Sequence, residues 1–474
     1  MILADLSKVP NYNDVVIIGS GPAGLSIALH LEKKGISSIV IEAGKSNPDQ
    51  NSQNFYKGKI VGDDFPDLSI CRLRQFGGTT GHWGGTCIEL DEYDFESWPI
   101  NKVDLKKFKK ESYKNLNIEG NFFKKKFNQN IDIINYNWSN ARFKEKYFEK
   151  IKKSKKIALI LNCPFIQFNG ENGKVISASV YKVKLKNVEG KYFILAAGGI
   201  ENSRLLLWSR HKNKTLINKN LPIGNYWMDH PYHQVAEGVL FKKNFVDYLT
   251  KNNLNKYIDM NCNYSFPFSP NLNFLNEFEV LNTSINIGIF KNNKKTDENI
   301  FLKQLKCLAP SIINKYFFDK DYYNNYNFSV SLLSDQKPEY SNRIDLGDEK
   351  DVNGIPIPVL YWKRSENVRD SSRKIVENLA SFLISKNLGR LAAEEFLFND
   401  MKYNHMNGYH HMGGTRMGNN NKYSVVDKNL KVHDTKNLYI SGSSVFVTAG
   451  HAHPTLTLTQ LAIRLADHLS KLIN

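Results

Sequence analysis

Residues 14–24 run Asp14-Val15-Val16-Ile17-Ile18-Gly19-Ser20-Gly21-Pro22-Ala23-Gly24, and beyond them comes Ser38-Ile39-Val40-Ile41-Glu42-Ala43. The β-branched run at 15–18 predicts a short strand buried on both faces. Residues 23–31 read as a helix with Ala28 and Leu31 toward a sheet. Gly35 ends it, and 38–41 is the next parallel strand, which completes a βαβ unit. Gly19 permits the tight turn, Gly21 lets a pyrophosphate approach the backbone, and Gly24 lets helix and strand pack closely. The helix start presents free N–H groups and its positive dipole end to the phosphates. Glu42 falls where an acid can accept both hydroxyls of an unphosphorylated ribose. A lone G-x-G-x-x-G is weak, but here strand, helix, second strand and acid agree. The motif predicts a bound dinucleotide and leaves FAD and NAD both open.

Working outward, residues 72–85 hold five glycines and two threonines: Arg72-Leu73-Arg74-Gln75-Phe76-Gly77-Gly78-Thr79-Thr80-Gly81-His82-Trp83-Gly84-Gly85. Such a loop can wrap a ring system and offer it many backbone donors. Helices are expected at 104–116 and 142–152, and short strands over 156–188 with a turn at Asn172-Gly173. A buried strand at 193–199 runs into a helix at 201–210. From about 224 to 399 the βαβ signals vanish. Strands at 329–334, 343–346 and 359–363, a turn at Asn353-Gly354 and a helix at 369–385 point to a second, sheet-based unit. After Tyr409 the first character returns, with a glycine-rich loop, a strand at 437–441 and a helix at about 455–472. The discontinuous first domain is therefore expected at 1–98, 150–223 and 402–474, and the second at 99–149 and 224–401.

The chain has 474 residues, of which 41% are hydrophobic, so two intergrown globular domains are expected. No apolar run approaches the roughly 18–20 residues that span a bilayer. The first residues lack a basic stretch followed by an apolar run, so the expected location is the cytoplasm. Cys71, Cys87, Cys163, Cys262 and Cys307 are odd in number and scattered. They suggest neither a disulfide framework nor a zinc ribbon, and C-x-x-C-H is absent. The net charge of +17 admits an anionic partner. Its lysines lie in polar stretches such as 106–126 and 144–156, which read as solvated faces, and no nucleic-acid motif is found.

Two histidine-bearing segments carry the chemistry. They are Tyr409-His410-His411-Met412-Gly413-Gly414-Thr415-Arg416-Met417-Gly418 and Gly450-His451-Ala452-His453-Pro454-Thr455. Taking hydride from a carbinol carbon requires that the hydroxyl proton leave too, and a base of pKa near 7 serves best. Two histidines can divide that work, one taking the proton and the other orienting the oxygen. Pro454 suits a first helical turn.

With these residues in hand, the chain resembles the glucose–methanol–choline (GMC) oxidoreductase family, in order over nearly its whole length. The glycine fingerprint, the Gly77–Gly85 loop, Asp94-Phe95, Ser97-Trp98-Pro99-Ile100, the 194–207 segment, Asp229-His230-Pro231 and the run from His410 to Leu469 carry the likeness. The resemblance implies an α/β fold (α+β overall), in which a Rossmann-like FAD-binding domain is intergrown with a sheet-based substrate domain. It implies FAD rather than NAD. Contacts to it are expected from Gly19, Gly21, Pro22, Ala23, Gly24, Glu42, Ala43, Arg74, Gly77, Gly78, Thr79, Thr80, His82, Trp83, Gly84, Gly85, Ala197, Gly198, Ser443, His453, Pro454 and Thr455. It places the catalytic histidine at His410, with His411 as the fallback, and the second catalytic position at His453. The Pro-Thr-Leu-Thr context is closest to the pyranose oxidase and sugar dehydrogenase branch, where Asn stands at the place of His453. In that branch a His-Trp pair links covalently to the flavin, which marks His82 as a candidate attachment point. The expected substrate is an alcohol or sugar, with an anionic derivative admitted by the charge. The electron acceptor is oxygen, a quinone or a protein. A redox-neutral FAD-containing lyase on the same fold is the alternative.

Overall fold

The computed structural model describes residues 1–10, 12–240, 264–291, 326–399 and 406–474. Cys262, Cys307 and residues 402–405 lie outside them. The expected βαβ unit forms from the strand Tyr12–Ile18, the helix Pro22–Lys33 and the strand Ser38–Ile41. Val15, Val16 and Ile17 are completely buried, as strands covered on both faces require.

The first sheet runs in the order Ile2–Leu3, Ile157–Ile160, Ser38–Ile41, Tyr12–Ile18, Leu185–Leu195, Lys174–Tyr181, Phe165–Glu171. The strand Leu185–Leu195 starts earlier than the expected 193–199 and ends four residues sooner, at the turn that holds Ala197 and Gly198. Its early residues pair antiparallel with Lys174–Tyr181, and its later ones pair parallel with Tyr12–Ile18. Its last three residues also pair parallel with Leu438–Ile440. Segments far apart in sequence thus end side by side at one edge of the parallel strands.

The second sheet is antiparallel, in the order Gly389–Ala393, Pro231–Leu240, Tyr326–Ser334, Thr283–Lys291, Tyr264–Pro270, Ile131–Ile134, Lys124–Lys126. Met406–Asn407 adds to Pro231–Leu240. The helix Asn367–Ser385 covers the sheet with Ile375, Val376, Leu379 and Leu383. A small sheet of Arg343–Lys350, Pro356–Trp362 and Lys59–Gly62 lies apart from both.

The expected helix over 104–116 is two pieces, Val103–Lys106 and Lys109–Leu116, the latter ended by Asn117 in the left-handed region at φ 51°. The core departs from the expected division at 99–149. Leu105, Leu116, Phe143 and Tyr147 bury their side chains in the first core, because their apolar faces meet the C-terminal helix and the Ile157–Ile160 strand. Within that segment it is Ile131 and Ile133 that enter the second core.

A buried ion network joins the layers. Arg72 Nη1 meets Glu201 Oε1 at 2.8 Å, Arg204 Nη1 meets Glu201 Oε2 at 3.0 Å, and Arg204 Nη2 meets Asp351 Oδ2 at 2.6 Å. Removing one partner would strand a buried charge, at a cost of about 3–5 kcal/mol. Cys71, Cys87 and Cys163 are buried free thiols. Among the described residues no helix is long and apolar enough to cross a membrane.

The glycine turn depends on backbone closeness. A Cβ on Gly24 would lie 2.0 Å from the Gly19 carbonyl oxygen, whereas one on Gly35, at φ +78°, would meet no atom within 4 Å. Gly35→Ala should therefore cost only the conformational term, about 1–2 kcal/mol. Gly24→Ala should cost much more and lower the thermal midpoint far further. Equal midpoints for the two variants would contradict the close helix–strand approach.

Candidate active site

One cavity of about 840 Å³ runs from the glycine turn to the second sheet. At its first end lie Gly19, Gly21, Pro22, Ala23, Glu42, Ala43 and Arg74. Gly19 adopts φ +105°, and a Cβ there would lie 2.3 Å from the Ala196 carbonyl oxygen. A Cβ on Gly21 or Gly198 would meet nothing within 4 Å and would project into space that the chain leaves open. Glu42 is partly engaged by the protein. Its Oε2 accepts from the Ser20 amide at 3.0 Å and hydroxyl at 2.7 Å, and its Oε1 accepts from the Gly44 amide at 2.7 Å. Oε2 is filled by Ser20, and Oε1 keeps one further lone-pair direction for a ribose.

Gly78, Thr79, Thr80, His82, Trp83, Gly84 and Gly85 line the same cavity, with Ala197, Gly198, Ser443, His453, Pro454 and Thr455. Two expected contacts fall elsewhere. Gly24 is the helix–strand packing position, and Gly77 packs on the start of the helix Phe143–Lys153, where a Cβ would lie 2.8 Å from the Lys144 amide nitrogen. Thr80 bridges the same joint, donating to the Gly77 carbonyl and accepting from the Phe143 amide. Arg74 Nη1 donates to Ser52 Oγ at 2.7 Å and its guanidinium lies over the Phe55 ring. His82 is exposed, and burial of part of its ring, with Arg142 nearby, lowers its pKa. These residues suit FAD. An open path past bare glycine backbone takes the pyrophosphate, an acid takes the ribose, and a glycine-rich wall takes a flat ring.

The histidines meet at the far end. His410 and His453 face each other with ring centroids 4.8 Å apart at 73°. His453 is the residue before the first turn of Pro454–Ile473, and Pro454 occupies that turn as expected. Burial, then His453, His230 and His411, hold the pKa of His410 well below its ordinary value. Burial, then His230 and His451, push that of His453 down to about 3. Both rings are therefore neutral near pH 7. His411, the fallback, also lines the cavity, but it stacks on Trp227 at 5.8 Å and its Nε2 is buried with no protein partner. His451 turns away and meets Asp91 Oδ2 at 3.1 Å.

Behind this pair stand groups that residue patterns alone do not assign. His230 Nδ1 lies 2.7 Å from His410 Nδ1, and His230 Nε2 lies 2.9 Å from the Gly450 carbonyl oxygen. Asp229 Oδ1 accepts from the amides of His230 at 2.8 Å and His410 at 2.6 Å. Burial raises the Asp229 pKa to about 7. The loop before His453 is held by Asp335, whose Oδ1 accepts from the Gly450 amide at 3.0 Å. Asp229-His230-Pro231 was visible as a motif, but a motif does not tell which ring it will touch. The second sheet closes the cavity with Tyr232, Ser284, Asn286, Ser331 and Leu333, and Tyr136 and Asn407 join them. Asn407 is 3% exposed, and neither of its amide atoms has a protein partner.

Comparison with known proteins agrees with this architecture. Residues 12–57 match the FAD binding domain model, and residues 338–462 match the GMC oxidoreductase model. The 2-methyl-1,2-propanediol dehydrogenase of Mycolicibacterium austroafricanum is 24% identical over 318 residues, which are 64% of this chain and 53% of that one. The fructose dehydrogenase large subunit of Gluconobacter japonicus is 28% identical over 289 residues, 59% of this chain and 47% of its own. The chain thus spans about half the length of these relatives. Among solved structures, pyridoxine 4-oxidase from Mesorbium loti superposes with a TM-score of 0.60 at 13% identity, covering 96% of this chain and 99% of that one. Formate oxidase superposes at 0.57 and 14%, covering 98% and 99%. In its fold, its FAD-binding turn and its matched C-terminal segment with the histidines, this chain is similar to the GMC oxidoreductases.

Proposed function

We propose that this protein oxidises a hydroxyl-bearing carbon of a polyhydroxylated compound, a sugar or glycoside, to a carbonyl. The observation that carries this reading is the pair of half-buried, neutral imidazoles, His410 and His453, on the wall of the cavity that also contains the dinucleotide turn. FAD, when bound, supplies the hydride acceptor at its N5. His410 has Nδ1 engaged by His230, so Nε2 is the nitrogen left to take the hydroxyl proton. His453, opposite, orients the alcohol oxygen.

The polar far end supports a substrate with several hydroxyls. Asn407 brings an unpaired donor and acceptor, which in a buried place call for a partner. Asn286, Ser284, Ser331 and Tyr232 extend that surface. The names of two relatives point the same way, one to fructose and one to a diol. Electrons then pass to oxygen, a quinone or a protein.

The first test is the flavin spectrum of the purified protein during anaerobic mixing with sugars, glycosides and simple alcohols. Bleaching by a polyol supports the reading, and a spectrum that no alcohol bleaches would favour the redox-neutral lyase. His410→Ala should keep its flavin and reduce it about 10²–10⁴-fold more slowly; normal reduction would remove the base from His410.

A protonated imidazole has no lone pair to offer. Because the His410 pKa lies below the ordinary 6.5, the ring stays neutral as pH falls from 8 to 6.5. The rate of flavin reduction should therefore hold across that window and decline only on its acid side. A decline centred above 6.5 would contradict the burial argument.

Gly21→Val should fold with a near-normal melting point yet lose its yellow colour, since the new side chain enters only cavity space. Retained flavin would show that the pyrophosphate passes elsewhere. His82 is our choice for a covalent flavin link, because its neutral ring lines the cavity beside the glycine-rich wall. Acid precipitation should then leave the flavin in the pellet, and complete release of colour would exclude the link.

A further inference from the structure

We propose that His230 is a positioning residue that fixes which nitrogen of His410 carries the proton, and so makes His410 a base toward the cavity. This rests on the reading of His410 as the base. A carbonyl oxygen can only accept, so the 2.9 Å contact to Gly450 requires a proton on His230 Nε2. His230 is completely buried and its pKa is lowered to about 4, chiefly by burial, so the ring is neutral and carries no second proton. Its Nδ1 is then an acceptor. The 2.7 Å contact between the two Nδ1 atoms therefore requires that His410 Nδ1–H be the donor. That leaves His410 Nε2 with a lone pair. Without His230, the tautomer protonated at Nε2 would be open to His410, and it presents a donor where a base is needed.

The surroundings enforce the contact. Asp229 Oδ1 ties the two histidine amides together. Gly408 fills the gap beside the rings, and a Cβ there would lie 3.0 Å from His410 Nδ1 and 3.1 Å from His230 Cβ. The Gly408 amide donates to the His230 carbonyl at 2.9 Å. When the substrate O–H breaks and its proton bonds to His410 Nε2, the new imidazolium keeps its Nδ1–H on His230. That hydrogen bond to a charged donor is stronger than the one to the neutral ring.

Nitrogen NMR of the holoenzyme with ¹⁵N-labelled histidines tests the tautomer without any substrate. The expected result is a protonated Nδ1 and an unprotonated Nε2 at His410, changing toward Nε2–H in His230→Leu. Stopped-flow flavin reduction should then fall by about 10²-fold in His230→Leu, with substrate affinity within about threefold of wild type. His230→Asn places an acceptor oxygen near the lost Nδ1 and should recover about tenfold of that rate. Gly408→Ala keeps both rings, forces them apart, and should behave like a weaker His230→Leu even if that variant folds poorly. An Nε2–H tautomer in the wild type, or equal rates for the Leu and Asn variants, would overturn the assignment. If no alcohol reduces the flavin, the proposed function fails while the tautomer result stands by itself.

Discussion

The pairing of Leu185–Leu195 with both Tyr12–Ile18 and Leu438–Ile440 is the contact on which the rest depends. Parallel strands open their functional loops at their carboxyl ends. Here the Gly19 turn, the Ala197-Gly198 turn and the Ser443 loop therefore emerge together. The Ala196 carbonyl comes so near Gly19 that a side chain at that position could not be accommodated. The glycine fingerprint thus serves the sheet seam as well as the bound dinucleotide.

The histidines belong to this seam, while the polar surface opposite them belongs to the second sheet. Pro231–Leu240 links the two, because His230 stands just before it and Tyr232 lies two residues farther on. Burial around the imidazoles decides their charge. Burial is the first cause of the lowered pKa at His230, His410, His411 and His453 alike. A neutral base in a low-dielectric place accepts a proton readily only when a neighbour is ready to share the charge.

Much of the first unit could be read from residues alone. The βαβ fingerprint has a local cause, since turn, helix start and strands lie within 31 residues, 12–42, as a short-range pattern. The start of Pro454–Ile473 was legible for the same reason. What escaped was long-range. Residues 104–116 read as a lysine-rich helix, and nothing local marks Leu105 and Leu116 as packing on the C-terminal helix. Gly77 looked like its neighbours in a glycine-rich loop, but only its place against Lys144 separates packing from cofactor contact. Asp229-His230 could be recognised and still not be assigned a task, because its partner is 180 residues away.

The same seam shapes how the molecule comes into being. Tyr12 pairs with Glu189 and Phe193 with Leu438, so the central sheet cannot close until distant parts of the chain have met. Topologies of that kind fold slowly, since the entropy of closing large loops is lost before the contacts that reward it exist. The first 195 residues carry seven of its eight strands, but the Leu438–Ile440 edge waits for the end of the chain, and an unfinished β edge is sticky while it waits. A dinucleotide that binds only the closed form pulls the equilibrium toward it. Flavin supply during synthesis is thus a determinant of how much of this protein reaches its native state.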